Sequence, residues 1–217
     1  MNTSLLQPQL HTEMPQASLQ HDVDGLIDGL FASLPDPQLL TAQQRTAIIA
    51  RYTSVLEGNF IYWMTAALIA ARSEEARSIL IDNLYEEVRD AHPIMLRKFA
   101  VAAHAYPTDT DSLAVDADLA KVRRFLGKLS AVQSIVTMAF FEGFIQKFMA
   151  YLADLAVAQG STELEYTDVH GVCDVEHTAG LFRALSLEMA VNPLPPDKDP
   201  LEGVYLLRSL IQTIVRN

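Results

Sequence analysis

The sequence predicts an all-α protein with a single domain of about seven helices. From Val23 onward, apolar residues recur at helical spacing, whereas strand-like alternation and Asn-Gly hairpin signals are absent. The 217 residues are enough for one domain with a substantial core, and half of them are apolar. We therefore expect a helical domain over residues 21–217, preceded by a mobile N-terminal leader over residues 1–20.

Prolines, glycines and polar stretches predict where the helices begin and end. The predicted helices are a short one that ends at Pro35, followed by residues 41–71, 73–105, 117–127, 130–158, 162–190 and 201–216. The chain shows no internal repeat.

Composition excludes several classes of protein. Sixteen basic residues against 27 acidic ones give a formal charge of -11, and no Lys or Arg cluster is dense enough to follow a nucleic-acid backbone. The single cysteine, Cys173, excludes an intramolecular disulfide framework and a multi-thiolate metal site. We expect no secretory signal at the N-terminus, and the longest apolar run, residues 60–71, is too short to cross a bilayer. We expect a cytoplasmic protein without a nucleic-acid or membrane partner.

The most informative motif combines His170, Asp174 and His177. Steps of four and seven residues return to nearly the same face of a helix, so three potential metal ligands converge. The alternative is a solvated polar stripe. Because the same segment carries apolar residues such as Leu181 and Phe182, metal binding is the favoured interpretation.

A single carboxylate, Glu142, lies on an apolar helix face. Ile135, Met138, Ile145 and Met149 all fall close to it on an ideal helix. Burying an unpaired ionised carboxylate costs several kcal/mol, so such a group is normally protonated, paired or bound to a metal. We expect a metal ligand here, with a buried pair to Arg or Lys as the alternative.

A third motif places Glu86 and Glu87 six and five residues before His92. This spacing does not bring both side chains to one face of a regular helix. We therefore predict a local bulge in the helix, a feature that is frequent at functional sites. Either glutamate could be the ligand.

Together these motifs predict a dinuclear metal site. The candidate ligands are Glu87, His92, Glu142, His170, Asp174 and His177. Carboxylates and imidazoles without thiolate suit iron or manganese, and six ligands suit two ions better than one. Three carboxylates against two ferrous ions leave a formal charge of about +1, which favours a carboxylate-bearing substrate. A ferritin-like bundle is not expected, because it needs two Glu-x-x-His motifs and this chain has none.

The order of these motifs resembles the haem-oxygenase-like di-iron oxidases over residues 40–190. The resemblance rests on Asn-Leu-x-x-Glu with a nearby His, a lone Glu about fifty residues later, and His-x-x-x-Asp-x-x-His. It implies a seven-helix haem-oxygenase-like bundle that holds two Fe(II) ions and uses O2 as co-substrate. One ion would be held by the early Glu, the central Glu and a late His. Glu86 could replace Glu87, and Glu57 is a further acidic neighbour.

The resemblance implies an O2-dependent oxidase or oxygenase that catalyses N-oxygenation, desaturation, oxidative C–C cleavage or decarboxylation. We favour an amino acid or amino-acid-derived substrate in specialised metabolite biosynthesis. Its carboxylate suits the charge of the site and its amine could reach iron. Arg51, Arg72, Arg89 and Lys98 are candidate carboxylate anchors.

Three other functions stay open at this point. The first is decarboxylation of a fatty acid to a terminal alkene, which would call for a long aliphatic tunnel. The others are a metal-free thiaminase-like hydrolase and a helical interaction module. Aromatic and Met residues that could shape a substrate pocket are Phe60, Trp63, Met138, Phe141 and Phe144. The oligomeric state is undetermined, with a homodimer as one alternative.

Overall fold

The computed structural model describes the backbone of residues 13–216 and the side chains of residues 18–171 and 174–216. Within this range the chain forms α-helices and one short 3-10 turn, with no strand. The helices are α1 (Glu13–Ala32), α2 (Ala42–Leu56), α3 (Asn59–Ala70), α4 (Glu74–Arg89), α5 (His92–Ala102), α6 (Asp109–Leu126), α7 (Ala131–Val157), α8 (Glu165–Val191) and α9 (Glu202–Val215). The prediction of an all-α, single-domain fold is confirmed.

The predicted number of seven helices is wrong, because two predicted helices are each divided in two. The segment 41–71 turns at Gly58, whose φ of 87° lies in the left-handed region that glycine adopts without strain. The segment 73–105 is divided between Arg89 and His92. The helix predicted over residues 117–127 begins earlier, at Asp109, where Thr108 and Asp111 form a capping box.

The first helix begins inside the range that we expected to be a leader. α1 starts at Glu13, and its buried residues Leu19, Val23, Ile27 and Leu30 follow helical spacing. They pack against the core formed by the later helices. Residues 1–12 of the expected leader lie outside the described residues.

The core of the domain is built around α7. This helix packs most extensively along α8, and it also contacts α1, α3 and α9. By length and composition, α7 is the one helix of the described segment that could cross a membrane, but 83% of its most apolar window is buried in the protein. Its apolar character is therefore explained by its central position in the fold.

A buried carboxylate joins α8 to the start of α4. Glu188 is 0% exposed, and its Oε2 accepts hydrogen bonds from the backbone N–H groups of Arg72 and Ser73, each at 2.9 Å. The two bonds give the buried carboxylate hydrogen-bond donors. They also give an acceptor to backbone N–H groups at the start of a helix, which have no partner within the helix. They fix the position of α4 relative to α8, the two helices from which most of the candidate ligands project.

Candidate metal centre

The structure brings all six candidate ligands together in the interior. They are at most 6% exposed, and they come from α4, α5, α7 and α8. They form two groups of three, and within each group one ligand atom per residue lies within 4.8 Å of the others. We call Glu87, His92 and His170 the first group, and Glu142, Asp174 and His177 the second group.

The first group is centred on the carboxylate of Glu87. Its Oε1 lies 2.8 Å from His92 Nδ1 and 3.8 Å from His170 Nε2. Burial raises the pKa of the Glu87 carboxyl, but the imidazoles of His170 and His92 outweigh burial and lower the pKa to about 2. Glu87 is therefore an anion at any physiological pH.

A backbone contact determines how His170 presents its ring. Nδ1 of His170 lies 2.8 Å from the carbonyl oxygen of Tyr166, one helical turn earlier. A carbonyl only accepts hydrogen bonds, so Nδ1 carries a proton and donates it to Tyr166, which leaves Nε2 as the ring nitrogen directed at Glu87. Such a bond to the second ring nitrogen is the usual way in which proteins orient a metal-binding histidine.

A break in the helix, rather than the predicted bulge, brings Glu87 and His92 together. Five residues turn a regular helix by about 500°, which leaves the two side chains far from one face. Ala91, between the two helices, has φ 56° and ψ 39°, in the left-handed region that costs an L-residue about 1–2 kcal/mol. This reversal of the backbone aims the first residue of α5 back at the last turn of α4.

The second group is centred on His177. Its Nδ1 lies 3.8 Å from both Glu142 Oε1 and Asp174 Oδ1, and its Nε2 lies 2.8 Å from Glu86 Oε2. Burial would lower the pKa of His177, but Glu142, Glu86 and Asp174 outweigh burial and raise the pKa to about 9. At neutral pH the ring is therefore protonated unless a metal replaces the proton.

Sequence reasoning treated the two glutamates at the end of α4 as alternative metal ligands. In the structure both lie at the site. Glu87 belongs to the first group, whereas the half-exposed Glu86 contacts His177 of the second group. Glu57 belongs to neither, because it forms an ion pair with the exposed Arg97. The resemblance also implied that the early and central glutamates share an ion, whereas the structure places Glu87 and Glu142 in different groups.

Two buried polar atoms of the second group indicate that these residues suit a metal ion. Glu142 Oε1 and His177 Nδ1 have no hydrogen-bond partner among the described residues, although both are buried. Two ligand atoms that each lie about 2.1 Å from one ion are about 3 to 4 Å apart, and these two atoms are separated by 3.8 Å. The donor set of carboxylate and imidazole without thiolate is the type that iron and manganese prefer.

A small cavity of about 30 Å³ lies beside the first group. Its polar wall consists of Tyr52, Glu87, His92, Glu142, Tyr166 and His170. Phe60 and Phe141 contribute to the apolar wall as expected, whereas Trp63, Met138 and Phe144 belong to the core. Among the described residues, none of the four basic candidate anchors lines this cavity.

Sequence reasoning missed a pair of buried tyrosines in the cavity wall. The hydroxyl oxygens of Tyr52 and Tyr166 lie 2.8 Å apart, and the Tyr166 ring packs on His170 with centroids separated by 4.3 Å. Burial raises the pKa of both phenols well above the usual range, so both stay neutral. Tyr166 lies one turn before His170, a spacing that could have been noticed. Tyr52 lies on another helix, and no local signal connects it to the site.

One comparison with known proteins bears on this arrangement. The sequence model of a haem-oxygenase-like protein family, which is described as iron-containing redox enzymes, matches residues 49–202 of the chain. The matched segment includes all the residues of both groups as well as Glu86, Tyr52 and Tyr166. No curated protein matches the chain.

Proposed function

The chain belongs to this haem-oxygenase-like family of iron-containing redox enzymes, and from that premise we infer that it is a non-haem di-iron enzyme that uses O2 to oxidise a small organic substrate. The match confirms the resemblance drawn from the order of the motifs. The favoured substrate is an amino acid or a compound derived from one, and the reaction is N-oxygenation, desaturation or oxidative C–C cleavage.

The observation that carries this proposal is the pair of buried three-residue groups. Each offers nitrogen and oxygen ligands to one ion, and the ligands that α8 contributes to the two groups lie on neighbouring turns of that helix. Three carboxylates and three imidazoles would be costly to bury together without cations, so part of the folding free energy would come from metal binding. The iron ions would supply the redox chemistry with O2 when bound.

The protein's own residues would orient the ligands and exclude water. The Tyr166 carbonyl holds the ring of His170, and the backbone reversal at Ala91 positions His92 against Glu87. The apolar part of the cavity wall, which includes Leu56, Phe60 and Ile145, would shield a reacting substrate from solvent.

The lining of the cavity favours a polar substrate over a long aliphatic one. Six of the residues that line it carry a carboxylate, an imidazole or a phenol, and the others are apolar. The fatty-acid alternative called for a long tunnel lined only by aliphatic residues, and the described cavity differs from it in lining. Charge is a further consideration, because Glu86 adds a fourth carboxylate at the half-exposed edge of the second group. A substrate carboxylate would compete with Glu86 for that edge.

Anaerobic titration of the metal-free protein with ferrous iron tests the proposal. We expect two irons per chain in the wild type and one in Asp174→Asn, because this change removes a charged ligand of the second group. Glu57→Gln, which changes a surface ion pair, should keep two. Absence of iron uptake by the wild type would contradict the proposal and favour the metal-free hydrolase or the interaction module.

Stopped-flow absorption then identifies the substrate class. The ferrous protein is mixed with O2 in the presence of candidate amino acids or fatty acids. We expect a visible transient whose formation is accelerated by amino acids. Acceleration by medium-chain fatty acids alone would instead support the decarboxylation alternative.

A further inference from the structure

The two buried tyrosines in the cavity wall hold more hydrogen-bond donors than their mutual contact uses. Tyr52 and Tyr166 are 2% and 4% exposed, and their hydroxyl oxygens are 2.8 Å apart. Each phenol has one O–H, and the contact between them uses only one of the two. No described residue accepts the other, because the Tyr–Tyr contact is the one hydrogen bond that either hydroxyl makes within the described segment.

The cavity offers a place for an acceptor of the remaining O–H. Both tyrosines line it, together with Glu87, His92 and His170 of the first group. A buried donor without an acceptor is costly, so buried hydroxyls normally bond to protein, water or ligand atoms. The cavity volume of about 30 Å³ is enough for a water molecule or another group of a few atoms.

We propose that the Tyr52–Tyr166 pair is a hydrogen-bond donor to the ligand at the metal centre: one phenol donates to the other, and the second donates to an anionic ligand atom in the cavity. The first phenol is a positioning residue, because its hydrogen bond orients the second. The pair would thus favour small, negatively charged ligands beside the first group. This inference rests on the proposed function, since it requires iron at the centre.

The ligand-binding test uses azide, a linear three-atom anion that binds iron. Wild-type protein and the Tyr52→Phe/Tyr166→Phe double variant are loaded with iron and titrated with azide, followed by absorption. We expect the double variant to bind two irons and to bind azide about tenfold more weakly, which corresponds to about 1.4 kcal/mol. Phenylalanine keeps the ring packing and removes only the hydroxyl groups.

Tyr151→Phe is the matched control. Tyr151 is also a buried tyrosine, and its hydroxyl has no hydrogen-bond partner among the described residues, but it does not line the cavity. Its replacement should leave azide affinity unchanged. If the double variant does not fold, the two single variants provide the same test, and replacing the phenol that faces the ligand should give the full loss.

The outcomes separate this inference from the proposed function. If the wild type binds no iron, the proposed function fails. If wild type and double variant both bind two irons and bind azide equally tightly, the inference alone is wrong and the spare O–H bonds to a resident water. A tenfold loss confined to the cavity variants supports the inference.

Discussion

Replacement of Glu87 by Gln is expected to destabilise the metal-free protein and to remove one iron site. The Glu87 carboxylate is 6% exposed and lies 2.8 Å from His92 Nδ1 and 3.8 Å from His170 Nε2. Glutamine has nearly the same shape but no charge. The variant therefore removes the electrostatic stabilisation with little change in packing.

The magnitude follows from the pKa of Glu87, which is lowered from 4.5 to about 2. This difference corresponds to about 3 kcal/mol in favour of the folded state at neutral pH. For a domain of this size, 3 kcal/mol lowers the melting temperature by about 6 to 12 °C. Because the folded-state pKa is depressed, the contribution is complete above pH 4.5 and is lost as the pH falls through 2. About half of it is left at pH 3.

The assay is thermal and urea unfolding with a chelator present, at pH 7 and pH 3, followed by iron titration. Glu57→Gln is the control, because Glu57 pairs with the exposed Arg97 and surface ion pairs contribute about 0 to 1 kcal/mol. Glu87→Gln should bind one iron and Glu57→Gln two. If Glu87→Gln unfolds like the wild type at pH 7 and binds two irons, the described role of the carboxylate is refuted.

Three further predictions concern the backbone, the pH dependence and the packing. Ala91→Gly should raise the unfolding free energy by up to about 1 kcal/mol in urea denaturation, because glycine adopts φ 56° without strain; a loss of stability would contradict that strain. Because the pKa of His177 is raised to about 9, metal must displace its proton. The metal affinity measured by calorimetry should therefore rise about tenfold per pH unit from pH 7 to 9 and then level off. A metal affinity that does not change with pH would refute this. Gly203→Ala would place a Cβ 2.1 Å from Thr137 Oγ1, which should cost about 1–3 kcal/mol in thermal unfolding. Gly25→Ala, with nothing within 4 Å, should be neutral or stabilising.

Long apolar segments allowed the sequence to predict the central helices well. Residues 130–158 and 162–190 were expected to be helical, and α7 and α8 cover Ala131–Val157 and Glu165–Val191. The predicted N-terminal leader was too long. The apolar face of α1 that begins at the buried Leu19 is short and is preceded by polar residues, so its helical pattern is weak in the sequence. The turn at Gly58 was missed because an isolated glycine in an apolar stretch is compatible with a continuous helix.

Residues of the site could be found where the signal was local. His170, Asp174 and His177 share a helix, so their spacing sufficed to bring them together. Their division between the two groups depends on which helices face each other, and spacing along one helix does not contain that information. The sequence also could not show which of Glu86 and Glu87 belongs to which group, because that assignment too depends on which helices face each other. The buried contact of Tyr52 with Tyr166 joins α2 to α8 over more than a hundred residues of sequence, so no local pattern could predict it.

We propose that each three-residue group holds one iron ion. Crystals grown anaerobically with ferrous iron, with diffraction data collected on both sides of the iron absorption edge, would locate the ions. We expect two anomalous peaks, one among Glu87, His92 and His170 and one among Glu142, Asp174 and His177. No iron peak at these residues, or iron bound only elsewhere on the protein, would contradict it.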